Sequence, residues 1–298
     1  MYDTILVPTD GSDHAVRAAE HALYLADAFD ATVHVITVVD LESAAGPFAA
    51  GGVDDDFLER IRADGRETIA DLEAAIGPTD RLRTAVVEGR PSEAILEYAG
   101  EHDADLLAMG THGRTGVRRY AWGSVTERVV RGADRPVLTV RDTDRSRIDD
   151  GYDDVLIPTD GSESATAAVE HGLAIAETAD ATVHALHVVD AGDGVGSGSV
   201  RTPTEYLTDL ESAGEKATEE IATRARDAGL DAVSAVQQGH PASGILDYVD
   251  DADVDLVAMG TQGRTGLNRY LLGSTAERVL RHAPVPVVAV NTRDRGED

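Results

Sequence analysis

Apolar and polar positions follow two different periods along this chain. Thr4–Val7 and Thr32–Val39 are short apolar runs bounded by turn residues, a pattern typical of buried parallel strands. Between them, Asp13–Phe29 carries alanine and leucine at helical spacing, and Ser12 precedes it as a candidate N-cap. A strand, a helix and a second strand are therefore predicted in the first 39 residues.

The same alternation continues to residue 140. The predicted elements are a helix over Asp54–Ile76, a strand over Leu82–Val87, a helix over Pro91–His102, a strand over Ala104–Met109, a helix over Ser124–Arg131 and a strand over Pro136–Val140. The glycines and the proline of Leu41–Val53 predict a mobile loop. Strands that alternate with helices form a parallel sheet covered on both faces, so the predicted fold class is α/β.

The whole pattern occurs twice. Asp3–Ser12 returns as Asp153–Ser162, and Asp30–His34 returns as Asp180–His184, each pair offset by 150 residues. Two repeats of this length predict two similar domains, because the units of a solenoid are far shorter.

The boundary between the repeats is predicted from composition. Arg141–Asp150 is charged and has no core pattern. We therefore expect domains at 1–143 and 151–298, joined by a linker at 144–150. The second repeat has its own glycine-rich counterpart of the mobile loop, at Ala191–Ser199.

A glycine loop follows the fourth strand of each repeat and leads into a helix. It runs Gly-Thr-His-Gly from Gly110, then nine residues, then Gly123 and Ser124; the second repeat has the same spacing from Gly260. Glycine lets backbone N–H groups approach a ligand closely, and a helix N-terminus favours an anion. Two copies at one spacing therefore predict a phosphate site in each repeat.

The start of the following helix has a second interpretation. Ser124 and Glu127 have the spacing of a capping box, which Ser274 and Glu277 repeat. The two interpretations are compatible, since the Ser124 hydroxyl can cap the helix while its N–H faces a phosphate. We therefore expect a capping box as well as a phosphate site.

Charge narrows the choice of partners. The net charge is −29, from 55 acidic and 26 basic residues, and Lys216 is the only lysine. Nucleic acid is therefore not an expected partner, because phosphate contacts along it need clustered Lys and Arg. The acid excess instead predicts adaptation to a very salty cytosol, as in a halophilic archaeon, where ions screen the self-repulsion.

The location of the protein is also predicted from the sequence. No apolar run approaches the length of a membrane span, and the chain enters a strand at once without the basic region of a signal peptide. With no cysteine there is no disulfide and no thiolate metal site. We expect a cytoplasmic protein with no membrane partner.

The two motifs together resemble those of a tandem universal stress protein. The resemblance is carried by Val-Pro-Thr-Asp-Gly-Ser at 7–12, Ile-Pro-Thr-Asp-Gly-Ser at 157–162 and the two glycine loops, and it covers both repeats nearly end to end. It implies two open five-stranded parallel sheets with strand order 3-2-1-4-5 and helices on both faces. It also implies ATP or another adenine nucleotide as ligand, since many members of the family bind ATP.

The resemblance also assigns residues to the ligand. In the first repeat these are Pro8, Thr9 and Asp10 on the adenosine side, Val38 with its backbone at adenine, and Gly110, Gly113, Gly123, Ser124 and Val125 at the phosphates. In the second repeat they are Pro158, Thr159, Asp160, Val188, Gly260, Gly263, Gly273, Ser274 and Thr275. Asp10 and Asp160 are expected to face the ribose or a phosphate-bound Mg²⁺ or Mn²⁺.

Several of these side chains have a simpler interpretation. Asp10 could only hydrogen-bond its own Asp-Gly turn. Arg114 and Arg264 could reach phosphate or remain solvated, and His112 could touch the triphosphate. The predicted positions of His34 and His184, in the middle of strands, favour a core role. Because His112 is replaced by Gln262, and Arg118 by Asn268, the two sites are expected to differ in affinity.

The sequence therefore favours a nucleotide-binding stress-response regulator with one site per repeat. The alternatives are a slow ATPase or related nucleotide-processing enzyme, and a structural pseudo-dimer with one or both sites empty. A Walker-type loop with its lysine is missing, which argues against fast hydrolysis. The apolar fifth strands, Pro136–Val140 and Pro286–Val290, are expected to pair the two domains, and a homodimer stays open.

Overall fold

The structure is a computed structural model that describes residues 1–41, 55–113, 123–148, 151–190, 203–263 and 272–291. The chain divides into two compact units, Met1–Ile148 and Asp149–Asp298. The predicted loop Leu41–Val53, except for Leu41, and the predicted loop Ala191–Ser199 lie outside the described residues. The predicted site residues Arg114 and Arg264 do so as well.

Unit one contains alternating strands and helices. They are β1 (Thr4–Pro8), α1 (Asp13–Phe29), β2 (Thr32–Val39), α2 (Asp55–Ile76), β3 (Leu82–Glu88), α3 (Pro91–Glu101), β4 (Leu106–Gly110), α4 (Ser124–Gly132) and β5 (Val137–Val140), followed by a 3₁₀ turn over Asp144–Ser146. The helix and strand bounds predicted for α1 and β2 are confirmed without change.

Unit two repeats this order. Its elements are β6 (Asp154–Pro158), α5 (Glu163–Ala179), β7 (Thr182–Val189), α6 (Pro203–Asp227), β8 (Ala232–Gln238), α7 (Pro241–Asp251), β9 (Leu256–Gly260), α8 (Ser274–His282) and β10 (Val287–Val290). Within each unit the strand order is 3-2-1-4-5, and the paired strands are parallel. The predicted fold class is confirmed.

The strand order reverses beside β1, which has β2 on one side and β4 on the other. Val7 lies opposite Val35 of β2, and Leu6 lies opposite Leu107 of β4. In open parallel sheets, ligands bind beyond the carboxyl ends of the strands at such a reversal. The ends of β1 and β4 carry Pro8-Thr9-Asp10 and Gly110, so the predicted site residues follow strands that are neighbours.

Helices cover both faces of the unit-one sheet. The Thr37 and Val39 side chains lie against Gly65 of α2, whereas the His34 ring lies against Tyr98 of α3. Because successive residues of a strand point to opposite faces, α2 and α3 cover opposite faces. His34 is thus a buried side chain between the sheet and α3, as predicted.

The stop of α1 explains how the chain turns back into the sheet. Asp30 adopts a left-handed φ of 58°, and its N–H donates to the Ala26 carbonyl. Asp180 ends α5 in the same way with a φ of 54°. A short polar side chain is one of the few that tolerate this conformation, so aspartate marks the end of both helices.

The segment after β5, residues 141–148, is called the strap here. Its first part was predicted to be domain one and its second part linker, but Ser146 is fully buried within unit one. His21 of α1 donates from Nε2 to the Ser146 carbonyl over 2.8 Å. The strap shows no apolar period because hydrogen bonds, not apolar side chains, attach it to the unit.

Candidate functional site

The turn after β1 is fixed by hydrogen bonds to β2. Thr9 N–H donates to the Ile36 carbonyl over 2.8 Å, and the Thr37 hydroxyl donates to the Thr9 carbonyl over 2.6 Å. The Thr9 hydroxyl in turn accepts the Gly11 N–H at 3.1 Å. Thr9 is therefore a buried part of the turn, and its side chain is used to shape the turn that presents Asp10.

Asp10 connects the turn to the glycine loop. Its Oδ1 accepts the Ser12 N–H at 3.1 Å, which is the local Asp-Gly turn bond expected from sequence. Its Oδ2 lies so near Gly113 that a Cβ on Gly113 would be 2.3 Å away. The local interpretation of Asp10 is confirmed, because one carboxylate oxygen closes the turn. The other oxygen faces the loop, and its contact with a ligand or metal stays a prediction.

The glycine at 110 is explained by the close approach of α1. A Cβ on Gly110 would lie 2.8 Å from the His14 carbonyl carbon and 2.9 Å from the Ala15 nitrogen. The Ser12 hydroxyl, which also caps α1, donates to the His112 carbonyl over 3.3 Å. The start of α1 thus holds the glycine loop directly against the end of β4.

Gly123 closes the other end of the loop. Its N–H donates to the Thr111 carbonyl over 2.8 Å, and a Cβ would lie 2.9 Å from that oxygen. The Thr126 hydroxyl, one turn further on, donates to the Gly110 carbonyl over 2.7 Å. Both ends of the glycine loop are therefore joined, which places the start of α4 beside Gly110, Thr111 and His112.

The predicted capping box at the start of α4 is wrong. The N-cap is Gly123, and no side-chain cap bond forms there in the described part of the chain. Glu127 does not reach back to the N-cap, because it forms an ion pair with Arg131 at 3.0 Å. Since glycine has no side chain, the first-turn N–H groups of Ser124 and Val125 have no side-chain acceptor at the cap.

Unit two has the same framework. Asp160 Oδ1 accepts the Ser162 N–H at 2.9 Å, and a Cβ on Gly263 would lie 2.9 Å from Asp160 Oδ2. Gly273 N–H donates to the Thr261 carbonyl over 2.8 Å and is the N-cap of α8, again without a side-chain cap bond in the described chain. The first helical residue is Ser274, so the capping box predicted for Ser274 and Glu277 is also wrong.

The two sites differ in the residues behind this framework. Thr37 is replaced by His187, whose Nδ1–H donates to the Thr159 carbonyl over 2.7 Å. His14 is replaced by Ser164, whose hydroxyl donates to the Gln262 carbonyl. The prediction of two unlike sites was made from the pairs His112 and Gln262, and Arg118 and Asn268, the second of which lies outside the described residues. The structure adds two further differences.

The remaining predicted residues lie at the carboxyl ends of neighbouring strands. Pro8 ends β1, and Pro158 ends β6. Val38 lies opposite Val87 near the end of β2. Val188 lies near the end of β7, and its methyl groups would be 3.0 Å from a Cβ on Gly244 of α7. The role of each valine in ligand binding stays a prediction.

Sequence reasoning missed Ser12 and His14 as parts of the site. Ser12 was seen only as a helix cap, although its recurrence as Ser162 was a signal that it does more. His14 had no such signal, since its counterpart is Ser164 and its contacts come from residues about 100 positions away or more. Only the folded chain brings them together.

The site offers few metal ligands. Across the residues that the structure describes, no three His, Asp or Glu side chains are placed together to hold a metal ion. Each site has one candidate carboxylate, Asp10 or Asp160. Mg²⁺ prefers six oxygen ligands, so phosphate oxygens and water would have to supply the rest. The donor set fits a cation that enters with a phosphate ligand.

A cleft of about 450 Å³ lies elsewhere in unit one, between α2 and the outer strand β3. It is lined by four residues of α2 between Arg62 and Glu73 and by residues 84–86 of β3, and no predicted site residue is among them. The candidate site is therefore defined by the glycine loop and the helix start, not by the size of a cavity. In the described parts of the chain, no helix has both the length and the apolarity needed to cross a membrane.

Each unit is thus a doubly wound α/β fold with a glycine loop and an open helix start at the reversal of its strand order. The chain belongs to the universal stress protein family, whose family model matches residues 1–141 and again 151–291. Both matches include the turn after the first strand and the complete glycine loop.

Individual relatives agree with this assignment. A universal stress protein of Methanocaldococcus jannaschii is 39% identical over 142 residues, which is 47% of this chain and 83% of that protein. The crystal structure of a universal stress protein from Archaeoglobus fulgidus matches over 97% of this chain and 98% of its own, with 21% identity and a TM-score of 0.70. A similarity at this identity establishes the fold and nothing more. A universal stress protein crystallised in complex with cAMP is 32% identical, covering 47% of this chain and 97% of its own, with a TM-score of 0.33.

Proposed function

We propose that this chain is a stress-response regulator that binds one adenine nucleotide, ATP in the first place, in each unit. The observation that carries the proposal is the placement of the Asp10 carboxylate against Gly113, beside a helix start without a side-chain cap. The same arrangement recurs at Asp160 and Gly263. Turn, loop and helix start converge at the reversal of strand order, where ligands of this fold class bind.

The backbone supplies the phosphate contacts in this proposal. The N–H groups of Gly113, Ser124 and Val125 are the donors in unit one, and the positive end of the α4 dipole adds to their attraction for an anion. Gly110 and Gly123 act indirectly, because their missing side chains let the loop close. Arg114 and Arg264 stay proposed phosphate contacts.

Asp10 and Asp160 have the second role. We place a Mg²⁺ or Mn²⁺ ion between this carboxylate and the phosphates, because the carboxylate would otherwise repel them. The cation neutralises charge on the triphosphate. Pro8 and Thr9, with the backbone of Val38, are placed on the adenosine side. Pro8 and Thr9 lie at the carboxyl end of β1, beside β4, and Val38 lies near the carboxyl end of β2, the next strand.

Calorimetry of the full chain with Mg·ATP tests this proposal. We expect close to two ATP per chain, one fewer after Gly113→Glu or Gly263→Glu, and none in the double variant. The matched control is Gly100→Glu, because a Cβ on Gly100 of α3 would meet nothing within 4 Å. Absence of heat with ATP, ADP, AMP and cyclic AMP alike would contradict the proposed function.

The same proposal includes the setting in which the protein works. The net charge of −29 fits a cytoplasm with molar salt, where the Debye length falls to about 3 Å and the surface carboxylates no longer repel each other over long distances. Exposed acids such as Asp27 and Asp30, at 75% and 93% side-chain exposure, share a single arginine, Arg81. Most of the acid surplus must therefore be screened by solvent ions.

A further inference from the structure

The strap is attached to one face of α1 at two places, at residues 14 and 17 and at residue 21. At its start, Asp142 N–H donates to His14 Nδ1 over 2.7 Å, and the Asp142 carboxylate lies 3.6 Å from the Arg17 guanidinium. At its end, His21 donates to the Ser146 carbonyl over 2.8 Å. Residues 14, 17 and 21 follow helical spacing, so one stripe of α1 binds the whole strap.

The strap also has an internal brace that makes it a defined body. The Ser146 hydroxyl donates to the Arg141 carbonyl and accepts the Thr143 N–H at 3.1 Å. Ser146 has no exposed surface. The strap turn is therefore closed by its own hydrogen bonds as well as by its contacts with α1.

His14 contacts the strap and the candidate ligand site at the same time. Its backbone lies against Gly110, as the 2.8 Å distance to a Cβ there shows, and its ring centroid lies 5.1 Å from that of His112 in the glycine loop. Its Nδ1 holds the Asp142 N–H. One residue thus joins the end of β4, the loop after it and the strap after β5.

The contact to the strap requires His14 to be neutral, because a protonated Nδ1 cannot accept a hydrogen bond. Burial lowers the pKa of His14, and the charge of Arg141 adds to this, while Asp142, Asp13 and Asp10 oppose it. The acceptor form is therefore favoured at neutral pH. The strap contact is part of the ordinary state of unit one.

Unit two has different side chains at the positions of His14 and Arg17. Ser164 replaces the His14 ring and bonds the loop carbonyl of Gln262 directly, and Ala167 replaces Arg17. Ala167 has no group that could form the ion pair of Arg17, and the Ser164 hydroxyl donates to the loop. The difference gives each chain an internal control.

We propose that His14 is a positioning residue that couples ligand affinity in unit one to docking of the strap, and that unit two has no such coupling. The inference rests on the proposed function, because it assumes a nucleotide at the glycine loop. Docking fixes the His14 ring, the ring supports His112, and the loop is held in the form that binds phosphate. By linkage, a bound nucleotide must stabilise the docked strap by the same factor.

The test uses the full chain with one site disabled at a time. In the Gly263→Glu chain, which reports unit one, His14→Ala should lower the affinity for Mg·ATP about fivefold, the value of one ordinary hydrogen bond. His14→Asn should restore it to within about twofold, because its Oδ1 stands where Nδ1 stood and accepts the same N–H. In the Gly113→Glu chain, which reports unit two, adding His14→Ala or His14→Asn should leave the affinity unchanged.

Hydrogen exchange supplies the second readout. Saturating Mg·ATP should slow exchange of the Asp142 amide about fivefold in the wild type and leave it unchanged in His14→Ala. Equal unit-one affinity for all His14 variants, or a loss that His14→Asn does not restore, overturns the coupling and leaves the proposed function standing. Lack of binding in both single-site chains overturns the proposed function and the coupling with it.

Discussion

His21 makes unit one sensitive to acid. Its side chain is 1% exposed, and burial, together with the charge of Arg17, lowers its pKa to about 4 although the hydrogen bond to Ser146 opposes the shift. Between pH 6.5 and 4 the unfolded chain therefore binds a proton that the folded chain does not. The stability of unit one must fall as the pH falls through this window.

The size of the effect follows from the gap between the two pKa values. A lowering from 6.5 to about 4, at about 1.4 kcal/mol per pH unit, amounts to about 3 kcal/mol in total, of which about 2 kcal/mol is lost by pH 5. That is a large part of the 5–15 kcal/mol by which domains are typically stable.

His21→Gln isolates this contribution. The glutamine amide nitrogen stands near the position of Nε2 and can still donate to the Ser146 carbonyl, but it does not titrate. Urea unfolding at constant molar KCl is measured at pH 7, 6 and 5, with fluorescence of Trp122 as the signal, because the only tryptophan belongs to the first repeat. The wild type should lose about 2 kcal/mol more than the variant between pH 7 and pH 5.

The control is His171→Gln in unit two. Burial also lowers the pKa of His171, so this variant should change the acid response of unit two and leave the Trp122 signal as in the wild type. If the wild type and His21→Gln lose stability in parallel as the pH falls, the buried histidine is not the source of the acid sensitivity.

Two further predictions concern packing and charge. Gly110→Ala should destabilise unit one by about 1–3 kcal/mol in urea unfolding, because the new Cβ meets backbone atoms of α1 at 2.8–2.9 Å. The control Gly100→Ala lies in open space on α3 and should be neutral or stabilising. Equal stability of the two variants would contradict the packing argument. The melting temperature should rise by at least a few degrees between about 0.1 M and 2 M KCl, because salt screens a net charge of −29, and an unchanged melting temperature would remove the case for salt adaptation.

The helices and strands were predictable because local and tertiary preferences agree. In α1 the apolar period, the Ser12 cap and the left-handed Asp30 all mark the same two ends, and the observed bounds match the predicted ones. The capping box failed because the sequence pattern does not show which residue the helix starts from. Gly123 donates its N–H to the Thr111 carbonyl and is the N-cap, so Ser124 is the first helical residue.

The strap was not predictable for a different reason. Its contacts join residues more than 120 positions apart, as between His14 and Asp142 or His21 and Ser146. Periodicity detects only elements that bury an apolar face, and the strap is held by polar atoms. The replacement of Thr37 by His187 is visible in the sequence, but its structural role is not. That role depends on the Thr9 and Thr159 carbonyls, which accept hydrogen bonds from these side chains.

An anion site in so acidic a chain becomes reasonable when the ranges of the forces are compared. Apart from Arg114 and Arg264, each proposed donor is an uncharged backbone N–H that acts at hydrogen-bond distance, about 3 Å, whereas repulsion by surface carboxylates acts over many ångströms. Molar salt screens the repulsion between the surface carboxylates and the ligand, since the Debye length is then about 3 Å, and leaves the short hydrogen bonds intact. A site built from Lys and Arg would lose affinity under the same conditions, because salt weakens the charge pairs on which it depends. A glycine loop with a glycine-capped helix start is therefore suited to a chain whose charge is −29 and whose only lysine lies outside both loops.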